Sequence, residues 1–252
     1  MLFILNNRKS LCYIESKPYL KDGYSTGFKL SYVSRITTRL IMDIQTITAY
    51  NQDADKIAAL HSTLIPHKLY QQIQQHFPKH GQTADIGCGI GRDSFYLQQQ
   101  GYIVTGVDAS VAMLTQAREL YPSLNLHQDY LPDLTTLSEN SFDNILCSAV
   151  LMHLNKQDVE KACLHLLALL KTNGVLIITL RGTHQSDKRE NGKLYEEIDI
   201  KELCQFFEQH HANIVEHEID FEPKRQLTWH NLVIKKLDRK STRLNSSHSD
   251  RS

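Results

Sequence analysis

The stretch Thr83–Gly101, TADIGCGIGRDSFYLQQQG, constrains the fold more than any other part of the chain. An apolar strand ends at Ile86 and runs straight into Gly87, Gly89 and Gly91, after which a helical pattern opens at Arg92 and Asp93. A strand-to-helix turn this sharp needs residues that tolerate left-handed backbone angles. The backbone left without side chains lets a ligand lie directly against it.

From Met42 onward, helix-like and strand-like segments alternate, the pattern of an α/β layer fold. Helical periodicity falls near 54–64, 67–76, 92–100, 111–120, 157–170 and 200–210. Strand-like runs start at TADIG (83), YIVTGV (102), LNLHQ (124), DNILCS (143), VLIITL (175), NIVEHEID (213) and TWHNLVIKK (228). Seven strands are therefore expected. Asn173 and Gly174 suit a left-handed cap at the end of the fifth helix. The polar stretch RGTHQSDKRENGKLYEE is too long and too charged for a tight connection and is read as a loop over the sheet's working edge.

The formal charge of zero conceals a division. Residues 1–41 carry seven basic side chains against two acidic, whereas residues 42–237 carry 17 against 24. An acidic body has the wrong sign for holding phosphate backbones by bulk electrostatics, so nucleic acid is an unfavoured partner. No long apolar run crosses a membrane, and five scattered cysteines fit a reducing cytoplasm. The first 41 residues form a basic N-terminal extension ahead of Met42, read either as a misassigned start or as a basic arm. Pro18, Glu15 and Asp22 spoil an amphipathic presequence helix. Residues 42–237 are the expected domain. The tail 238–252 abandons the apolar periodicity, and its segment DRKSTRLNSSH is what a common sequencing-adapter read translates to.

The spacing of the turn is G-x-G-x-G. A dinucleotide site wants G-x-G-x-x-G, and Arg92 stands where its third glycine would be, which disfavours a nicotinamide cofactor. Asp108 closes the second strand, where a carboxylate can accept hydrogen bonds from both ribose hydroxyls of an adenosine lying over the turn. DIGCGIGRD followed by GVDASVAML resembles the class I S-adenosylmethionine-dependent methyltransferases, in the branch with GCGxGRD, over about 84–180. The resemblance implies a Rossmann-like, seven-stranded, mostly parallel sheet flanked by helices, with the last strand antiparallel. It also implies S-adenosyl-L-methionine as cofactor. By the same resemblance, Asp85, Gly87, Cys88, Gly89, Gly91 and Arg92 border the methionine end, Asp108 takes the ribose and Ala109 flanks the adenine. Asp129 would accept from the adenine amino group beside Tyr130 and Leu131, and Cys147 lies in the segment whose end lines the transfer pocket.

Such a cofactor needs little dedicated chemistry from the protein beyond alignment and exclusion of water. No metal motif is present, and none is expected. His153 follows strand four, where a general base could sit, although a packed helix-entry histidine is the simpler reading. Tyr50 is a candidate cap over the pocket. Arg181, Arg225 and Trp229 could hold a substrate if the fifth strand and the last hairpin reach one edge, with surface ion pairs and a core indole as the plainer alternative. A small-molecule acceptor is expected. The rivals are an RNA or protein methyltransferase and a non-catalytic cofactor-binding protein.

Overall fold

The computed structural model describes residues 5–6, 10–11, 43–182, 188–223 and 226–238. The chain divides into two units, Met1–Arg39 and Leu40–Ser252. In the first, a short antiparallel pairing joins Leu5–Asn6 to Ser10–Leu11. The remaining residues of the extension, and the tail beyond Asp238, lie outside the described residues.

The second unit begins with helices α1 (Ile44–Gln52), α2 (Ala54–His61) and α3 (His67–His76). It continues as β1 (Gln82–Ile86), α4 (Arg92–Gln99), β2 (Ile103–Asp108), α5 (Val111–Leu120), β3 (Asn125–Gln128), β4 (Phe142–Ser148), a 3₁₀ turn Leu151–His153 and α6 (Lys156–Leu169). Then come β5 (Leu170–Arg181), the short strands β6 (Lys188–Glu190) and β7 (Lys193–Tyr195), α7 (Ile200–Gln209), β8 (Ala212–Glu222) and β9 (Leu227–Lys236). Seven strands form one sheet in the order β8-β9-β5-β4-β1-β2-β3. β1, β2, β3, β4 and β5 pair in parallel, and β9 runs antiparallel between β5 and β8. This is the Rossmann-like arrangement the sequence implied.

The central strands are covered on both faces: the VLIIT run of β5 is almost wholly apolar, while β1 and β4 also bury Thr83, Asp85 and Asn144. Ile86, Ile145, Ile178, Leu232 and Phe207 belong to the larger core cluster, and Ile73, Leu97, Leu146 and Ile177 to a second. Parallel strands place their carboxyl ends together, so the turn after β1, the end of β2 and the ends of β4 and β5 share one edge.

Three local expectations change. Helix α6 stops at Leu169 rather than at Asn173, because Leu170 is already extended (ψ 139°) and pairs with Phe142. Asn173 does take a left-handed φ of 65°, but within the irregular start of β5, where the register jumps between Phe142 and Asn144. Helix α1, not anticipated as a helix, is capped by Asp43, whose carboxylate accepts from Thr46 N. The described part of the polar stretch after β5 is an antiparallel hairpin, β6–β7, turning at Asn191 and Gly192 with φ of 48° and 81°. No helix among the described residues is long and apolar enough to cross a membrane.

Candidate active site

A cavity of about 670 Å³ opens at the carboxyl edge of the sheet, within the range that encloses a small molecule or cofactor. Its inner wall is the glycine turn. Gly87 has φ 74°, and a Cβ there would sit 2.2 Å from Val150 Cγ2, so both the turn and the close approach of the 3₁₀ segment require glycine. Asp108 ties the end of β2 to that turn. Its Oδ2 accepts from Gly89 N at 2.8 Å and its Oδ1 from Ser110 N at 2.7 Å. Ser110 in turn caps α5 through Met113 N. Burial pushes the Asp108 carboxyl above its ordinary range, and the amides of Ser110, Gly89 and Ala109 oppose that shift by favouring the ionised form.

Farther along the same wall, Asp129 accepts from Tyr130 N at 2.8 Å and Thr136 N at 2.6 Å. Ala109, Tyr130, Leu131, Met113 and Ile86 supply apolar surface beside it. The cavity wall thus carries two carboxylates, Asp108 and Asp129, with apolar side chains between them. Gly87, Cys88, Gly89, Arg92, Asp108, Ala109, Asp129, Tyr130 and Leu131 therefore gather on one cavity.

Three positions do not reach it. Asp85 is 2% exposed and faces α4, where Ser94 Oγ donates to its Oδ2 at 2.6 Å. Side chains alternate along a strand, so Ile86 takes the pocket side and Asp85 the opposite one. Burial, reinforced by the negative charge of Asp93, raises the Asp85 carboxyl well above the usual carboxylate range. Cys147 is fully buried in the core by the same alternation, while Ser148 lines the cavity. Gly91 serves packing: it starts α4 with φ 79°, and a Cβ would come within 2.8 Å of Leu124 Cδ1. Arg92 spans the wall with its guanidinium on Asp93, through two contacts of 2.8 Å.

On the opposite side, the partly buried Tyr50 pairs with the buried His153. His153 Nδ1 lies 2.6 Å from the Leu194 carbonyl, which can only accept, so Nδ1 carries the proton. Nε2 is then the bare nitrogen, and the Tyr50 hydroxyl donates to it at 3.0 Å. Burial lowers the imidazole pKa to about 4, and the positive charges of Lys193 and Arg181 act in the same direction. Burial likewise raises that of the Tyr50 phenol. The β6–β7 hairpin builds this arrangement. Leu194 N donates to the buried Thr46 Oγ1, Arg189 forms a bidentate pair with Asp43, and Lys193 Nζ sits 4.6 Å from the Tyr50 ring centroid.

Arg181 and Trp229 do reach one edge: they are register partners on β5 and β9, and both line the cavity. Arg181 holds Glu190 at 2.9 and 2.6 Å and lies over the Tyr195 ring. Trp229 Nε1 donates to Glu222 at 3.4 Å. Arg225 lies outside the described residues. The sequence reading missed Thr46 and Asn231, since a threonine and an asparagine carry no motif. It also missed the hairpin, for which the Asn191-Gly192 dipeptide was an available signal. Among the described residues no group of three or more metal-ligating side chains could hold an ion.

Residues 84–178 match the methyltransferase-domain family Methyltransf_11. A protein of Geobacillus sp. (strain WCH70) named a methyltransferase is 26% identical over 170 residues, covering 62% of this chain and 68% of that protein. The ubiquinone biosynthesis O-methyltransferase of Histophilus somni (strain 2336) is 35% identical over 119 residues, covering 44% of this chain and 49% of the relative. The chain thus spans between about half and two thirds of these curated relatives. Among solved structures, the 1,6-didemethyltoxoflavin-N1-methyltransferase of Burkholderia thailandensis, with 1,6-didemethyltoxoflavin and S-adenosylhomocysteine bound, superposes with a TM-score of 0.61. It is 20% identical, covers 77% of this chain and 88% of that chain, and shows the shared fold. The glycine turn, the Asp108 tie and the sheet order agree with the family match, and residues 84–178 carry a methyltransferase domain of the class I S-adenosylmethionine-dependent kind.

Proposed function

We propose that this protein moves the methyl group of S-adenosylmethionine to a nucleophilic atom of a small molecule. The observation that carries the reading is the continuity of one cavity, from Asp108 and Asp129 at the cofactor end to Tyr50, His153, Arg181 and Trp229 at the other. When bound, the cofactor supplies a methyl group already activated by its sulfonium. The protein's share is to anchor the ribose through Asp108, seat the adenine beside Asp129 and Leu131, and hold the acceptor in line in a partly dried cleft. The locked tautomer of His153 turns the Tyr50 hydrogen toward Nε2 and leaves the phenol oxygen lone pairs for a proton donor on the acceptor. The names of the Histophilus and Burkholderia proteins, a ubiquinone-pathway O-methyltransferase and a toxoflavin-precursor N-methyltransferase, support a small acceptor.

Calorimetric titration with S-adenosylmethionine, S-adenosylhomocysteine and NADH tests the assignment. Both sulfur cofactors should bind, NADH should not, and Asp108→Ala should weaken binding by about tenfold or more, as for loss of hydrogen bonds to a charged group. Binding of NADH alone would overturn it. Transfer of a labelled methyl group to a panel of O, N, S and C nucleophiles then identifies the acceptor atom.

A further inference from the structure

Two histidines stand together on the terminal hairpin, outside the cavity, and the proposed transfer makes no use of them. Side chains alternate along β8, so Glu216, Glu218, Asp220 and Glu222 share one face, and Val215, His217, Ile219 and Phe221 take the other. In the register of β8 and β9, His217 stands opposite Leu232 and Ile219 opposite His230. The two imidazoles are therefore diagonal neighbours on one face of an antiparallel pair, within reach of each other across the strands. His217 Nε2 lies 3.1 Å from His230 Nδ1, with the ring centroids 5.3 Å apart. One hydrogen joins the facing nitrogens, so one of them bears it and the other is bare, whichever tautomers the rings take.

The same separation suits two imidazoles on one metal ion. With metal–nitrogen bonds of about 2.0–2.1 Å and bond angles between about 90° and 110°, two ligating nitrogens stand about 2.8–3.4 Å apart. His217 is exposed, so its ring is free to turn until both lone pairs meet on one ion, with water in the remaining positions. The outer nitrogen of the other ring, His230 Nε2, faces Gly182, which has no side chain to cover it. Ligand type sets the selectivity. Val215, Ile219 and Phe221 are the neighbours on this face of β8, and β9 carries no carboxylate, so a hard cation finds none of the oxygen ligands it requires. Imidazole nitrogens suit nickel, copper and zinc instead. The acidic balance of residues 42–237, 17 basic side chains against 24 acidic, adds a long-range field that draws cations.

We propose that His217 and His230 form a two-nitrogen site for a divalent transition-metal ion of the nickel, copper and zinc group, which staples β8 to β9. On binding, metal–water bonds give way to two metal–nitrogen bonds. The hydrogen between the rings is lost to water from its facing nitrogen, and the same ring takes one back at its outer nitrogen. Both rings stay neutral and no net proton is released. Sequence spacing hides the pair, because the residues lie 13 positions apart on separate strands. Trp229, next to His230 in β9, points to the cavity side, so the staple would hold that wall from behind.

The test is a Ni(II) titration of the full chain, purified without a histidine tag and followed by NMR through the ring protons of its 13 histidines. At substoichiometric Ni(II), the signals of His217 and His230 should broaden first and together. By calorimetry, His217→Gln and His230→Gln should each weaken the tightest Ni(II) step by about tenfold or more, since losing a ligand costs at least as much as losing a ligand's hydrogen-bond partner. Zn(II) should compete for that step, and Mg(II) and Ca(II) should leave both rings undisturbed. Circular dichroism checks that the variants fold; if one does not, the order of broadening on the unaltered chain decides. Earlier broadening of other histidines, broadening of only one ring of the pair, or variants that bind Ni(II) normally would overturn the proposal. So would Ni(II) spread evenly over the histidines, which is an adventitious ion only.

Discussion

Asp108 joins two elements by accepting from one amide on the turn and another at the start of α5, so its position was legible from a strand ending in an acid after a glycine turn. Asp85 and Cys147 were misplaced for a reason equally local: a motif fixes sequence position, while the pleat decides which face a side chain takes. Gly87→Ala forces both a left-handed angle and a contact with Val150, and should cost about 2 kcal/mol or more, read as a shifted urea midpoint. Tyr50→Phe removes the hydroxyl that His153 orients. It should lower the transfer rate at saturating substrates by about tenfold or more while changing S-adenosylhomocysteine affinity little, as single-turnover kinetics and calorimetry will show. His153 also makes stability depend on pH. Its folded pKa of about 4 lies below the ordinary value of 6.5, so the unfolded chain binds the extra proton between them. The stabilisation of the neutral ring is complete above pH 6.5 and is lost as pH falls toward 4, by about 3 kcal/mol at most. Asp85, shifted upward, acts with the opposite sign over much of that window. The contrast between unaltered protein and His153→Asn in denaturation at pH 7.5 and pH 5 therefore isolates the histidine: the variant should lose less stability on acidification.

Among the elements, α1 and the β6–β7 hairpin were the least visible in the sequence, and they are the ones that support each other. Ile44, Thr46, Ile47 and Thr48 are β-branched and weak helix formers, so α1 owes its conformation to docking rather than propensity. The Thr46 hydroxyl receives Leu194 N, and Asp43 both caps the helix and receives Arg189. Sequence periodicity sees neither contact, because the partners lie almost 150 positions apart. Thr46→Val should strand the Leu194 amide and destabilise the hairpin by about 1–3 kcal/mol, measurable as faster hydrogen exchange at 188–195 with the central strands still protected. The central strands were legible because short apolar-rich segments such as ILC of β4 and VLIIT of β5 stand between turn signals. The antiparallel placement of β9 came only with the family resemblance, since strand direction leaves no trace in local pattern.

At the scale of the molecule, the chain divides into the units Met1–Arg39 and Leu40–Ser252. A chain of residues 42–237 should bind S-adenosylhomocysteine within about twofold of the full chain and melt within a few degrees of it, checked by calorimetry and circular dichroism. In the proposed function the donor is held mainly by 86–134, whereas part of the acceptor end, Thr179, Arg181, Trp229 and Asn231, comes from strands that continue after the family match ends at 178. Grafting the terminal β-hairpin of one relative onto another would therefore be expected to redirect what gets methylated without disturbing the source of the carbon. The antiparallel strand slotted beside β5 is thus the place where a lineage can change its chemistry's destination one substitution at a time.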